Sequence, residues 1–326
     1  MIIRYSGYNV SKKEKTMEKF SEIKGDIQKK HVELFKRFNE ICEKYGIKYW
    51  AFDGTLLGAI RHKGFIPWDD DLDLAMMRED FQRLRRVPKE EWGEDYELIA
   101  PGDDDEKEIH DKLFPRVYQI KSVVQSDKDI LYWRRWSDNQ PWRTSLMCDI
   151  FLFDYVPEDE KEYLKKHKKC QRYRDLYKVV KLKSVSPDRA IKNRLRAFYK
   201  RSVSRFFRIL WKKPWKTVDY WMKREAGKCT TKTTIGAYCS SDKIDIHTYQ
   251  KDEVFPLIKM PFEDTYTYVP KNYEQMLTDK YGDYMTPPPE DKRDHLSPSY
   301  LDLGDGVGHV FSEPLSGSLA EKALAK

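Results

Sequence analysis

The chain has 326 residues, of which 40% are hydrophobic and 14% aromatic. This is enough apolar material for one large or two small domains, and it excludes a disordered chain. No stretch of about 18 consecutive apolar residues is present, so a membrane-spanning helix is not expected. Residues 1–5 turn polar too early for a signal peptide, and the five scattered cysteines suit free thiols. These features predict a cytoplasmic protein.

The net charge of +7 is unevenly distributed along the chain. Residues 161–216 contain 21 Lys and Arg and three acidic residues, a net charge of +18, whereas the rest of the chain carries −11. A basic surface of this kind binds nucleic acid or anionic lipid, or simply faces water. Because no RNA- or DNA-binding motif accompanies it, we expect no specific nucleic-acid partner.

The first predicted element is a helix over residues 15–45, where apolar residues recur at helical spacing up to Gly46. A strand over 48–52, a glycine turn and a helix opening at Thr55 are expected to follow. The N-terminus of such a helix offers backbone amides to a phosphate group. The candidates for substrate binding around this turn and helix are Asp53, Gly54 and Thr55, with Arg61 and Lys63 as counter-charges.

A run of aspartates follows a Gly/Pro-containing loop. Asp69, Asp71 and Asp73 share one parity, so in a strand they project from one face while Leu72 and Leu74 enter the core. Carboxylates this close repel one another unless a divalent cation compensates them. All the donors are hard oxygens, which favours Mg²⁺ (or Mn²⁺).

A second buried strand is predicted over residues 145–154, after β-type alternation at 96–100 and 116–124. It contains one acid in its middle, Asp149, and a buried carboxylate needs a partner. Asp154 stands at the predicted exit of the strand, where we expect it to cap or to turn the chain.

Residues 158–235 are helical in character, and the segment 206–216 mixes aromatic and cationic residues as interfacial segments do. This pattern favours peripheral contact with an anionic membrane through residues 161–216. The alternative is an ordinary helical insertion with a solvated surface.

The C-terminal part predicts a strand ending near Pro270 and a helix over 273–281, followed by three prolines. The basic residues beyond them, Arg293 and His295, either meet a donor's phosphates or pair with acids of the core. The glycine-rich tail from Gly304 onward is expected to be flexible.

Three stretches of this sequence resemble one family. The run GTLLGAIRHKGFIPWDDDLD at 54–73 closely resembles the signature of the LicD family, which comprises bacterial phosphocholine transferases with fukutin and fukutin-related protein as distant relatives. DIFLFD at 149–154 and YGDYM at 281–285 resemble further motifs of that family. The resemblance implies an α/β (α+β) fold of the nucleotidyltransferase type, a mixed sheet flanked by helices with a helical basic insertion.

The resemblance also implies a domain organisation. The catalytic core with its N-terminal helix spans 1–157, and the basic helical insertion spans 158–235. A C-terminal lobe at 236–303 completes the active site, and 304–326 form the tail.

The function implied by the resemblance is metal-dependent transfer of phosphocholine from CDP-choline to a hydroxyl of a cell-surface glycan precursor, with release of CMP. The acceptor is a lipid-linked or polymeric glycan of the teichoic acid or lipopolysaccharide type. Asp71 and Asp73 then hold the metal, and Asp149 is the third acid of the metal site and also a candidate general base. Aromatic faces recognise a quaternary ammonium, and the candidates are Trp68, Trp50 and the tryptophans of 133–142.

Three alternatives remain open at this point. The donor can be another CDP-alcohol, such as ribitol, glycerol or ethanolamine. A glycosyltransferase using Asp71-x-Asp73 as its metal motif is disfavoured, because nucleotide-binding strand–helix repeats are not evident. A non-catalytic scaffold or RNA-binding module relying on the basic segment is the third.

Overall fold

The structure is a computed structural model, and it describes residues 20–100, 115–125, 145–181, 191–211, 214–229, 231–237, 248–290, 293 and 300–310. The tryptophans of 133–142 lie outside these residues.

A mixed sheet forms the centre of the molecule, as predicted. Its strands, in spatial order, are β1 (Trp50–Ala51), β2 (Leu72–Met77), β6 (Met147–Tyr155), β4 (Arg116–Gln119) and β3 (Tyr96–Ile99). The second half of β6 also pairs with β7 (Thr234–Gly236), which pairs with β8 (Thr248–Gln250). Strands β2 and β6 are parallel, whereas the other pairs in this sheet are antiparallel.

Three helices of the N-terminal part flank this sheet: α1 (Phe20–Lys44), α2 (Asp53–His62) and α3 (Arg78–Leu84). The predicted apolar stripe of α1 is confirmed, because Phe35, Phe38 and Ile41 are almost fully buried in the main core. The predicted strand over 48–52 is shorter, and α2 begins at Asp53, two residues earlier than predicted.

The basic segment is helical, as predicted. It contains α4 (Glu160–Lys181), α5 (Ile191–Leu210) and α6 (Pro214–Ala226). These helices have a small core of their own, formed by Val156, Tyr163, Cys170, Tyr177, Val180 and Val218. No helix in the described ranges combines the length and apolar character needed to cross a membrane.

The C-terminal part packs into the main core rather than forming a separate one. It contains α7 (Lys251–Val254), the hairpin β9 (Ile258–Phe262) and β10 (Thr265–Val269), and α8 (Tyr273–Tyr281). Phe262, Val269 and Leu277 are buried in the same cluster as Phe35 of α1. This packing fixes α8 and the chain after it relative to the sheet.

The prediction of a flexible tail from Gly304 is wrong as far as Val310. Strand β11 (Tyr300–Asp302) pairs with both β12 (Gly308–Val310) and β5 (Val123–Gln125). The glycine-rich stretch is the turn of this hairpin, where Gly304 and Gly306 adopt positive φ angles. Residues 311–326 are outside the described part.

The prediction for Asp154 is also wrong. Asp154 lies inside β6, where it is 6% exposed, and both of its carboxylate oxygens accept hydrogen bonds from the guanidinium of Arg78 at 2.5 and 2.6 Å. A buried carboxylate bound in this bidentate manner connects α3 to β6. The pair is structural rather than a cap.

We predict that Arg78→Ala lowers the free energy of unfolding by about 3–5 kcal/mol, because it leaves the Asp154 carboxylate buried without its cation. Urea unfolding measures this change. The matched control is Arg37→Ala, whose partner Glu40 is 64% exposed, and its expected cost is about 1 kcal/mol or less. Equal losses in the two variants would contradict the assignment.

Candidate active site

Two aspartates face each other on the parallel strands β2 and β6. Asp73 and Asp149 are direct partners in the register of this pair. Neighbouring strands are about 4.8 Å apart, and in-register side chains of a parallel pair share a face. The structure therefore places the predicted acids of the two strands side by side.

The other acids of the run lie in the loop before β2. The strand begins at Leu72, so the predicted parity holds for Asp73 between the buried Leu72 and Leu74. Asp71 is exposed directly before the strand, whereas Asp69 and Asp70 are partly buried in the loop.

Crowding and burial raise the pKa values of these carboxyls. Burial, together with the nearby Asp71 carboxylate, raises the pKa of Asp69 to about 8 and that of Asp70 to about 6. Burial is also the main cause of the raised pKa of Asp73, and Asp71 and Asp149 add to it. The charged form of this cluster is therefore costly without a cation.

The donor set suits a hard divalent cation. Within the described residues, no group of three or more acidic, His or Cys side chains forms a ready-made metal cage. Mg²⁺ does not require one, because it is usually held by one or two carboxylates, with waters and substrate phosphates completing its shell. Asp71 and Asp73 are two such carboxylates, close enough for Asp71 to raise the pKa of Asp73.

Asp149 has a partner that the sequence did not reveal. The Nε atom of Arg116 in β4 donates to Oδ1 of Asp149 at 2.6 Å, and Arg116 is only 5% exposed. The pair lies in register across β4 and β6. The available indication in the sequence was Arg116 itself, a charged residue within the β-type alternation of 116–124. The order of the strands is needed to show that its partner is Asp149.

The acidic loop is held by a polar stripe of α1. Lys24 Nζ donates to the carbonyl of Trp68 at 3.0 Å, and Gln28 Nε2 donates to the carbonyl of Asp69 at 2.9 Å. His31 Nε2 lies 3.0 Å from the carbonyl oxygen of Asp70. Burial lowers the pKa of His31 to about 4, so the ring is neutral at pH 7 and holds the loop as a structural contact.

The first turn of α2 contacts the same cluster. A Cβ atom on Gly54 would come within 2.7 Å of Oδ2 of Asp69, so only glycine lets that carboxyl approach the helix. The hydroxyl of Thr55 accepts the backbone N–H of Asp73 at 2.8 Å, and Thr55 is buried. Asp53, at φ 45°, forms an ion pair with Lys280 of α8.

A cavity of about 390 Å³ opens beside the cluster. It is lined by Gly54, Leu57, Arg61, Ile66, Trp68, Asp69, Tyr281, Asp283, Tyr284, Thr286 and Pro288. Arg61 crosses to the C-terminal part, where its Nη1 donates to the carbonyl of Tyr284 at 2.7 Å. The chain after α8 thus forms one wall of this cavity.

Two predicted basic residues differ in their placement. The guanidinium of Arg293 lies 4.4 Å from the ring centre of Trp68, and its Nε donates to the carbonyl of Pro288. In this structure Arg293 therefore stacks on the cavity wall rather than pairing with a core acid. Lys63 is exposed at the far end of α2 and is not among the cavity residues. His295 lies outside the described part.

Among the predicted tryptophans, the structure separates two. Trp68 is half-buried on the cavity wall, whereas Trp50 is fully buried against Phe153 and Phe255. Trp50 therefore belongs to the core, and its prediction as a ligand contact is wrong.

We predict that Asp73→Asn raises the thermal midpoint of the metal-free protein at pH 8, because it removes a charge from a crowded cluster. Asp149→Asn lowers the midpoint, because it removes the carboxylate charge that the buried Arg116 guanidinium binds at 2.6 Å, at a cost of about 3–5 kcal/mol. The two residues are direct neighbours, so each variant is the control for the other. Shifts of the same sign would contradict this electrostatic account.

Comparison with known proteins gives the family. The family model for the LicD/FKTN/FKRP nucleotidyltransferase domain matches residues 46–172 and 170–272. Lipopolysaccharide cholinephosphotransferase LicD of Haemophilus influenzae is 30% identical over 273 residues, which cover 81% of this chain and 92% of that protein.

Two shorter matches agree with this result. An uncharacterized protein of Rickettsia prowazekii, RP689, is 51% identical over 55 residues, 17% of this chain and 21% of that protein. The ribitol 5-phosphate transferase FKRP of Homo sapiens is 42% identical over 53 residues, 16% of this chain and 11% of that protein. The mixed α/β fold and both kinds of match lead to one conclusion: the chain belongs to the LicD family and is a transferase.

Proposed function

We propose that this enzyme transfers phosphocholine from CDP-choline to a hydroxyl of a lipopolysaccharide- or teichoic-acid-type glycan precursor, and that CMP is released. The observation that carries the proposal is the set Asp71, Asp73 and Asp149 beside a cavity with an aromatic wall. The similarity to a protein named as a cholinephosphotransferase, over 92% of its length, supports the choice of phosphocholine. A cytoplasmic location is part of this proposal.

Asp71 and Asp73 would hold Mg²⁺ (or Mn²⁺), which supplies charge neutralisation at the donor's diphosphate. The raised pKa of Asp73, caused by burial and neighbouring carboxylates, supports this role. A cluster that is costly when charged is retained where a bound cation compensates it.

Asp149 is the proposed proton acceptor. The acceptor's hydroxyl oxygen attacks the phosphorus of the phosphocholine group, the P–O bond to CMP breaks, and the hydroxyl proton passes to Asp149. Arg116 would position this carboxylate through the hydrogen bond to Oδ1. Asp149 touches the reacting hydroxyl in this proposal, whereas Arg116 acts only through Asp149.

The cavity supplies cations and backbone amides for the diphosphate. Arg61 lines the cavity and Arg293 stacks on its wall, so both guanidinium groups are within its reach. The amides of Gly54 and Thr55 in the first turn of α2 add partial positive charge. The ion pair between Asp53 and Lys280 would hold that turn against α8.

The choline headgroup is proposed to bind at the face of Trp68. A quaternary ammonium has no hydrogen to donate, so it is recognised by aromatic rings. The guanidinium of Arg293 lies 4.4 Å from the ring centre of Trp68, so choline would bind the opposite face of the ring or replace this guanidinium. Tyr281 and Tyr284 provide further aromatic surface in the same cavity.

A second donor class has a specific observation in its favour. The matching human protein FKRP is named as a ribitol 5-phosphate transferase, although it matches only 53 residues. The alternative is therefore the same chemistry with CDP-ribitol, CDP-glycerol or CDP-ethanolamine. A non-catalytic basic module is disfavoured, because it has no need to retain a destabilising acid cluster.

The direct test is thermal stability with Mg²⁺ and CDP-choline, CDP-ethanolamine, CDP-glycerol or CDP-ribitol, since it requires no acceptor. A ligand at a hundred times its Kd is expected to add about 2.7 kcal/mol to the free energy of unfolding. We predict the largest gain with CDP-choline and no gain in Asp71→Asn with Asp73→Asn. The absence of a gain with every cytidine compound would contradict the proposal.

The headgroup assignment has its own test. We predict that Trp68→Leu weakens binding of CDP-choline by about threefold to thirtyfold, the loss expected from a cation–π contact, but weakens CDP-glycerol much less. Titration calorimetry with both donors measures the difference, and Trp68→Tyr is the conservative control. Equal losses for the two donors would mean that Trp68 supports the cavity without contacting the headgroup.

A further inference from the structure

Helix α5 carries apolar side chains on two opposite faces. On one side Phe207 packs against the small core of the helical segment, and Ser204 is 7% exposed. On the other side Phe198, Phe206 and Ile209 are 70%, 57% and 77% exposed. Residues spaced by three, four and seven positions share a helix face, so one side of α5 is bound in the bundle and the other is presented to its surroundings.

We define the exposed apolar face as the side chains of Phe198, Tyr199, Phe206, Ile209 and Leu210. In the described residues twelve large hydrophobic side chains are prominently exposed, and five of them belong to this face. Single exposed apolar residues are normal in proteins, whereas a contiguous stripe of them indicates a contact surface.

The charge of the helix indicates what this face contacts. Helix α5 contains seven Lys and Arg and no acidic residue. Arg205, next to Phe206, is exposed. A second copy of the chain would bring two segments of net charge +18 together, which disfavours self-association through this face. An anionic lipid surface offers acyl chains to the apolar face and negatively charged headgroups to the basic residues of the helix.

We propose that the exposed apolar face of α5 docks the enzyme on an anionic lipid surface. The helix lies in the plane of the interface, its aromatic and aliphatic side chains enter below the headgroups, and its basic residues meet the phosphates. Docking involves a preformed surface, because α5 is already fixed in the bundle through Phe207. Lipid binding through this face requires neither a donor nor turnover. The docking proposal can therefore be tested independently of the proposed reaction.

The docking face is separate from the acid cluster. The bundle joins the sheet at Val156, directly after β6, whereas Asp149 lies near the other end of that strand. Six strand residues, about 20 Å, separate these two positions along β6, and no residue of the exposed apolar face lines the cavity beside the acid cluster. Binding to lipid and binding of a nucleotide donor can therefore be measured independently.

The test is flotation of the full chain with phosphatidylcholine vesicles, with and without phosphatidylglycerol as every third lipid. We expect binding to the anionic vesicles only, weakened by salt. Phe206→Ser with Ile209→Ser is expected to weaken this binding at least about tenfold, since two apolar side chains no longer enter the bilayer. The matched control replaces two exposed apolar residues outside the helical bundle, Ile258→Ser with Val307→Ser. This variant is expected to bind anionic vesicles as well as the unmodified chain.

A second pair on the same face, Phe198→Ser with Leu210→Ser, is expected to show the same loss. Circular dichroism checks that each variant remains folded, which their exposure predicts. The proposal is overturned if the protein does not bind anionic vesicles, or if both pairs bind them as well as the unmodified chain. It is also overturned if light scattering shows a dimer that either pair converts to a monomer, because a second copy then covers the face.

Discussion

The parallel pairing of β2 with β6 is the constraint on which the site depends. It places Asp73 beside Asp149, and the loop before β2 adds Asp69, Asp70 and Asp71. Like charges gathered in this way oppose folding, so the surrounding chain has to compensate them. Arg116 meets one carboxylate, and α1 binds carbonyl groups at the acidic loop and brings the Lys24 ammonium near the Asp69 and Asp70 carboxyls.

The C-terminal part contacts the N-terminal segment 54–73 and the turn before it at several points. Glu263, in the turn of the β9–β10 hairpin, accepts the backbone N–H of Phe65 at 2.8 Å, and a Cβ atom on Gly64 would collide with its carboxyl group. Lys280 pairs with Asp53, and Arg61 reaches Tyr284. The glycines and cations of the 54–73 segment therefore serve packing between distant parts of the chain.

Local pattern predicted much of this structure. The apolar stripe of α1 and the aspartates of β2 and β6 could be predicted, because the periodicity of side chains is visible within one continuous stretch of sequence. The partners of Asp149 and Asp154 were not, since Arg116 and Arg78 meet them only through strand order and helix placement. The β11–β12 hairpin was missed for the same reason: its strands have three residues each, and β11 pairs with β5, far away in sequence.

The central claim is that Asp71 and Asp73 bind a divalent cation next to the nucleotide donor. The most direct measurement is anomalous diffraction at the manganese edge from crystals grown with Mn²⁺ and CDP-choline. The account predicts an anomalous peak in contact with carboxylate oxygens of Asp71 and Asp73 and with the donor's phosphates, close to Asp149. A bound donor with no such peak, or a peak at another group of residues, would contradict it.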